Sequence, residues 1–107
     1  MSEIIINIAT DYTQTPGSRY ISDGLYSGED FRKKFLEPLF KNPSDNRKII
    51  VILDGTEGYA TSFVEEAFGG IAREYGKNLC MKRFEFISDE DPTIKKRIIE
   101  YIKRVPA

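Results

Sequence analysis

An α/β sandwich is the fold this sequence predicts: a mixed but mainly parallel sheet of about four strands, with three helices, in one domain over residues 1–107. The prediction rests on two patterns. β-branched runs at residues 4–8 and 49–53, and an aromatic-rich run at 82–87, alternate with segments whose apolar residues recur at helical spacing. Such alternation implies mainly parallel strands joined by right-handed crossovers.

The first strand is expected over Glu3 to Ala9, where Ile4, Ile5, Ile6 and Ile8 give strong β-branched enrichment. Turn residues at Thr13–Ser18 follow, and Arg19-Tyr20-Ile21 is read as a short returning strand closed by Ser22-Asp23-Gly24. Ser27 reads as the cap of a first long helix, with Asp30 at the reciprocal capping-box position. Phe31, Phe35, Leu36, Leu39 and Phe40 form its apolar face, and Pro38 is expected to kink or shorten it. Residues 41–48 read as a plain connection. Ile49 to Leu53 lacks polar alternation, as a strand covered on both faces would. From Ser62, the set Phe63, Val64, Ala67, Phe68, Ile71, Ala72 and Tyr75 marks a second helix, which Gly76 stops. Lys82 to Ile87 is the next strand. Asp91-Pro92 caps a last helix with Ile94, Ile98, Ile99, Ile102 and Val105 on its buried side.

Composition narrows the chemistry. Of 107 residues, 40% are hydrophobic and 31% charged, the balance of a globular protein. Sixteen basic residues nearly cancel seventeen acidic ones, so no bulk attraction to nucleic acid is expected. No apolar run reaches membrane-spanning length, and the lone Cys80 suits a reducing, cytoplasmic setting. Histidine is absent, which removes the commonest general base and the commonest metal ligand. No metal site, cofactor or complete catalytic constellation is therefore expected, and an enzyme is not the favoured reading. Asp89-Glu90-Asp91 reads as a solvated helix start, and Cys80 as a small buried apolar residue.

Function is expected where the strand ending at Leu53 meets the next helix, through Asp54-Gly55-Thr56-Glu57-Gly58-Tyr59 and on to Thr61 and Ser62. Leu53-Asp54-Gly55-Thr56 superficially matches a phosphatase signature, but Ile52 stands where the nucleophilic aspartate would be required. A phospho-accepting receiver would need a lysine ending a later strand, and Ser88-Asp89-Glu90 occupies that region. Ser62 with Glu65 forms a capping-box pattern, and the same hydroxyl, or that of Thr61, is a candidate phosphate acceptor. Asp54 is expected to hold the turn by accepting loop N–H groups. Gly69-Gly70 reads as a close approach to a neighbouring element. Arg19 and Arg32 form a candidate anion site, with ion pairing to Glu29 as the alternative.

The same segment resembles the STAS domain of bacterial anti-sigma-factor antagonists. In that family a hydrophobic strand ends in Asp, here Asp54, and a serine at the next helix start accepts phosphate, here Ser62. Thr61 stands where an acid or amide usually precedes that serine, and Phe63-Val64 where small residues follow. A closer resemblance is to a bacterial STAS-like family of unknown function. It is carried by Pro16-Gly17-Ser18-Arg19-Tyr20, Ser27-Gly28-Glu29-Asp30-Phe31-Arg32, and Leu53 to Tyr59 running into Ser62 to Gly70. The resemblance implies a STAS-like fold and a regulatory, partner-switching role with a histidine-kinase-like ATPase. The alternative is a small-molecule or nucleotide-binding domain using the helix amino end as an anion site.

Overall fold

The computed structural model describes residues 3–106. Three strands, β1 (Glu3–Asn7), β2 (Lys48–Ile52) and β3 (Phe84–Ile87), pair in the order β1-β2-β3, all parallel. Ile6 lies beside Val51, and Val51 beside Phe86. Among the described residues five helices, rather than the three expected, accompany the sheet: α1 (Ile8–Asp11), α2 (28–40), α3 (61–75), α4 (Lys77–Arg83) and α5 (Pro92–Lys103). None is long and apolar enough to cross a membrane.

The core forms on one face of the sheet. Ile6, Ile49, Val51, Phe84 and Phe86 pack there with Phe31, Leu36, Phe63, Phe68, Ile98 and Ile102. Burying each such side chain stabilises by roughly 1.5–3 kcal/mol. Phe68 meets the Phe84 and Phe86 rings edge-on at centroid distances of 5.6 and 5.3 Å. The expectation that β2 is covered on both faces fails: Ile50 and Ile52 are only half-buried and lie outside the core cluster. Lys48 shares their face of β2 and is exposed, as expected of a side in contact with water.

Several boundaries also differ from the sequence reading. β1 stops at Asn7, whose side chain caps α1 by accepting the Thr10 N–H, so Ile8 and Ala9 are helical. Residues 19–21 form no strand. Ser18 and Ser27 make one isolated bridge, and Ile21–Asp23 is a 3₁₀ turn, leaving three strands rather than four and no mixed pairing among the described residues. Lys82 and Arg83 belong to α4, and β3 begins at Phe84.

Pro38 does not end α2. The turn before it, Arg32–Leu36, widens into a π-helical turn, and the chain resumes α-helix over Glu37–Phe40. Proline lacks an N–H and crowds the carbonyl four residues back, and a wider turn accommodates both effects. Residues 41–48 are more than a spacer. Arg83, with a side chain 1% exposed, donates to the carbonyls of Arg47 (3.0 Å) and Leu39 (2.6 Å) and lies 3.3 Å from Asp45. One guanidinium thus fastens the end of α2 and the following loop to α4.

Candidate functional site

The loop after β2 is held from two sides. Asp54 accepts the N–H groups of Asp89 (3.1 Å) and Glu90 (2.9 Å), while the Gly55 N–H donates to the Glu90 carboxylate at 2.8 Å. This bracket ties the end of β2 to the segment between β3 and α5. Asp54 therefore holds N–H groups as expected, but those of the neighbouring loop rather than its own. On the other side, Glu57 N–H donates to the Gln14 carbonyl (2.8 Å) and Ala60 N–H to that of Pro16 (3.1 Å). Gly55 and Gly58 have φ of 94° and 129°, a region that other residues rarely occupy. Thr56 accepts the Gly58 N–H, and the Tyr59 hydroxyl donates to the Leu53 carbonyl at 2.8 Å. Burial pushes the Tyr59 phenol well above its usual pKa.

Between this loop and the start of α5 lies an open cleft of about 390 Å³. Asp54, Glu57, Glu90 and Asp91 line it against one guanidinium, that of Arg97, so its walls are predominantly anionic. Asp91 also caps α5, and its hydrogen bonds to the side chain and N–H of Thr93 hold its carboxyl below the ordinary range. Among the described residues, no group of three or more His, Cys, Asp or Glu side chains could hold a metal ion.

Ser62 is not a helix cap. The cap of α3 is Ala60, which offers no side-chain acceptor; the helix begins at exposed Thr61, and Ser62 lies half-buried inside the first turn. The capping box with Glu65 therefore does not form, and Glu65 instead pairs with two arginines: Arg19 lies at 2.6 Å and Arg73 at 2.6 Å. Buried Glu66 holds Arg32 at 2.6 Å and Arg19 at 3.3 Å, and Arg32 also pairs with Glu37 at 3.1 Å. Burial raises the Glu65 pKa, but the hydrogen bonds from Arg73 and Arg19 outweigh it and hold the carboxyl below its usual value.

Both candidate anion-binding arginines are thus committed to carboxylates, and neither pairs with Glu29, which joins Lys33 instead. Arg32 further donates to the Glu66 carbonyl at 2.9 Å, inside the π-helical turn Glu65–Gly69. This explains the paired glycines. A Cβ at Gly70 would lie 2.6 Å from the Arg32 guanidinium, and one at Gly69 would lie 2.7 Å from the Glu65 carboxylate. They make room for an ion network rather than for another backbone.

Two features were not foreseen. The first is Tyr12, whose hydroxyl receives the Ser27 N–H (3.0 Å) and donates to Asp30 (2.7 Å), completing the α2 cap that Asp30 does not close directly. The Ser27 side chain does accept the Asp30 N–H as expected. The second is an apolar display on residues 19–26. The loop is pinned at its base by Gly28 N–H to Ser18 O (2.9 Å), Glu29 N–H to Arg19 O (3.0 Å) and the Arg19 ion pairs. It nevertheless exposes Tyr20, Ile21 and Tyr26 by nearly half and Leu25 by 88%. Large apolar residues inside a turn-rich segment were the available signal. The chain just before this display, at Gln14 and Pro16, is hydrogen-bonded to the Asp54–Ser62 loop.

No curated protein and no solved structure matches the chain. A family match does cover residues 27–93, more than half of its length, from the cap of α2 to the first turn of α5. With its parallel sheet and the strand–loop–helix at Asp54–Ser62, the chain belongs to the STAS-like domains of unknown function (DUF4325).

Proposed function

We propose that this protein is a regulatory interaction module that switches partners, docking through the Asp54–Ser62 loop and the adjoining 19–26 loop. The observation that carries this reading is Leu25, 88% exposed on a loop closed by backbone hydrogen bonds at its base. Exposed apolar groups gathered on ordered backbone mark surfaces that another protein covers. The partner we infer is a histidine-kinase-like ATPase, and the regulated group is Ser62, with Thr61 beside it as the second acceptor.

The local charge leaves a phosphate there unopposed. Glu65 and Glu66 would repel it if they stood alone. Arg19, Arg32 and Arg73 balance them and Glu37, three charges against three. A phosphoserine would add about −1.5 to −2 charges beside the exposed loop. An anion-binding alternative draws less support, because Arg19 and Arg32 are already paired and the cleft beside Asp54 is acidic.

The test is incubation with such an ATPase and ATP, read by intact mass for wild type, Ser62→Ala and Thr61→Ala. Phosphate absent only from Ser62→Ala supports the reading; phosphate landing equally on all three removes both hydroxyls from the mechanism. Leu25→Glu, at a solvent-facing position, should weaken the complex by at least ~10-fold. Unchanged affinity would take the 19–26 loop out of the docking surface.

A further inference from the structure

β2 is the middle strand of the sheet, yet its outward side chains stand clear of the core. The register sets Ile5, Ile50 and Glu85 in one row across that face, and Asn7, Ile52 and Ile87 in the next. Ile5 is 61% exposed, and Ile50, Ile52 and Ile87 are half-buried, outside the core cluster. Parallel sheets almost always have both faces covered. Lys48 precedes Ile50 on the same face, exposed, its ammonium donating to the Lys82 carbonyl at 3.0 Å with two N–H groups to spare. Glu85 is exposed as well.

We propose that a second copy of this chain covers the face. The pattern of charges selects both the occupant and its orientation. Neighbouring strands lie about 4.8 Å apart, and same-face residues about 6.7 Å apart along a strand. A two-fold axis along β2 through Ile50 would set Lys48 against Lys48. An axis across the strands would set Glu85 against Glu85. One diagonal would bury both charges on isoleucines, Lys48 on Ile5 and Glu85 on Ile52. The other diagonal sets Lys48 against Glu85 of the second copy and Ile5 against its Ile52, each pair occurring twice around a central Ile50–Ile50 contact. An isologous interface requires this reciprocity. The two sheets then cross near 90°, one of the two ways in which sheets pack. Strands of five, five and four residues present on the order of 230 Å², well under the ~800 Å² per partner of a standard interface. The dimer is accordingly weak and dependent on concentration. It uses the sheet's outer face alone and is independent of the docking surface proposed above.

Sedimentation equilibrium over a wide concentration range tests the idea, on the full chain, for wild type, Lys48→Glu, Glu85→Lys and the double reversal. Both altered positions, 48 and 85, face solvent, and circular dichroism verifies that each variant keeps its fold. Wild type should approach twice the monomer mass as concentration rises. Each single reversal should weaken association at least ~10-fold, and the double reversal should restore it. A wild type that stays monomeric at the highest concentration, or reversals that leave association unchanged, would overturn the proposal. A double variant no better than the singles would overturn the diagonal pairing and the proposal with it.

Discussion

Gly28 lies against the carbonyl oxygen of Phe63, which a Cβ at position 28 would approach to 2.3 Å. The obstacle is backbone, so it cannot rotate away, and the starts of α2 and α3 can meet only because position 28 has no side chain. Gly28→Ala should destabilise the protein by about 3 kcal/mol or more, since overpacking usually costs 1–3 kcal/mol even where neighbours can yield. Gly17→Ala is the control: its Cβ would find nothing closer than 3.8 Å, and the change should stay within about 0.5 kcal/mol. Urea unfolding of the two variants checks both outcomes.

Asp54 is the clasp between two loops. Asp54→Ala removes the acceptor for the Asp89 and Glu90 N–H groups and should cost about 1.5–3 kcal/mol, the range for hydrogen bonds to a charged group. Native-state hydrogen exchange should show those two amides accelerating while the amides of β2 stay protected. Unchanged exchange at both would mean that the bracket is not formed in solution.

The Glu65 carboxyl titrates below its usual value of 4.5 in the folded chain, because hydrogen bonds from Arg73 and Arg19 outweigh the effect of burial. A carboxyl whose folded pKa is lowered contributes stability that is present above the unfolded pKa and lost as pH falls through the folded value. Glu65→Gln should therefore differ most from wild type near neutral pH, with the gap closing as pH drops through and below 4.5. Thermal unfolding of both proteins across that range would reveal the convergence; parallel curves would contradict it.

Cys80 is wholly buried, and burial pushes its thiol up to about 12. The thiolate is the reactive form, so alkylation near neutral pH should be negligible in the folded protein and rapid in denaturant. The native reaction rate then reports opening of the core around α4. Fast native labelling would show that α4 does not seal the thiol.

The sequence made the type and order of the main elements legible because strand and helix periodicities are local. Gly76 as a stop, Asp91 as a cap and the buried Ile94, Ile98 and Ile102 were readable for the same reason. What escaped depends on contacts distant along the chain. Whether Ile50 faces a helix or water is decided by where the other elements pack, and Ile49–Leu53 alone cannot express it. The pairing of Arg19 with Glu65 spans 46 residues. Glu65 thus belongs to an ion network, while the helix starts at Thr61 and leaves Ser62 inside its first turn. The loop from Asp54 to Ser62 was legible as a site, and its Asp54–Glu90 bracket was not.

The backbone bonds that close residues 18–28 have a kinetic consequence. A segment already held in one shape does not have to be ordered at the moment of contact, so a partner docking on Leu25 would meet a finished surface. Encounter would then proceed at the rate set by diffusion and orientation, and variants at Tyr20, Ile21, Leu25 or Tyr26 would act mainly on how long the complex survives. Variants that loosen Arg19 would do the opposite, slowing capture while leaving the contact atoms themselves untouched.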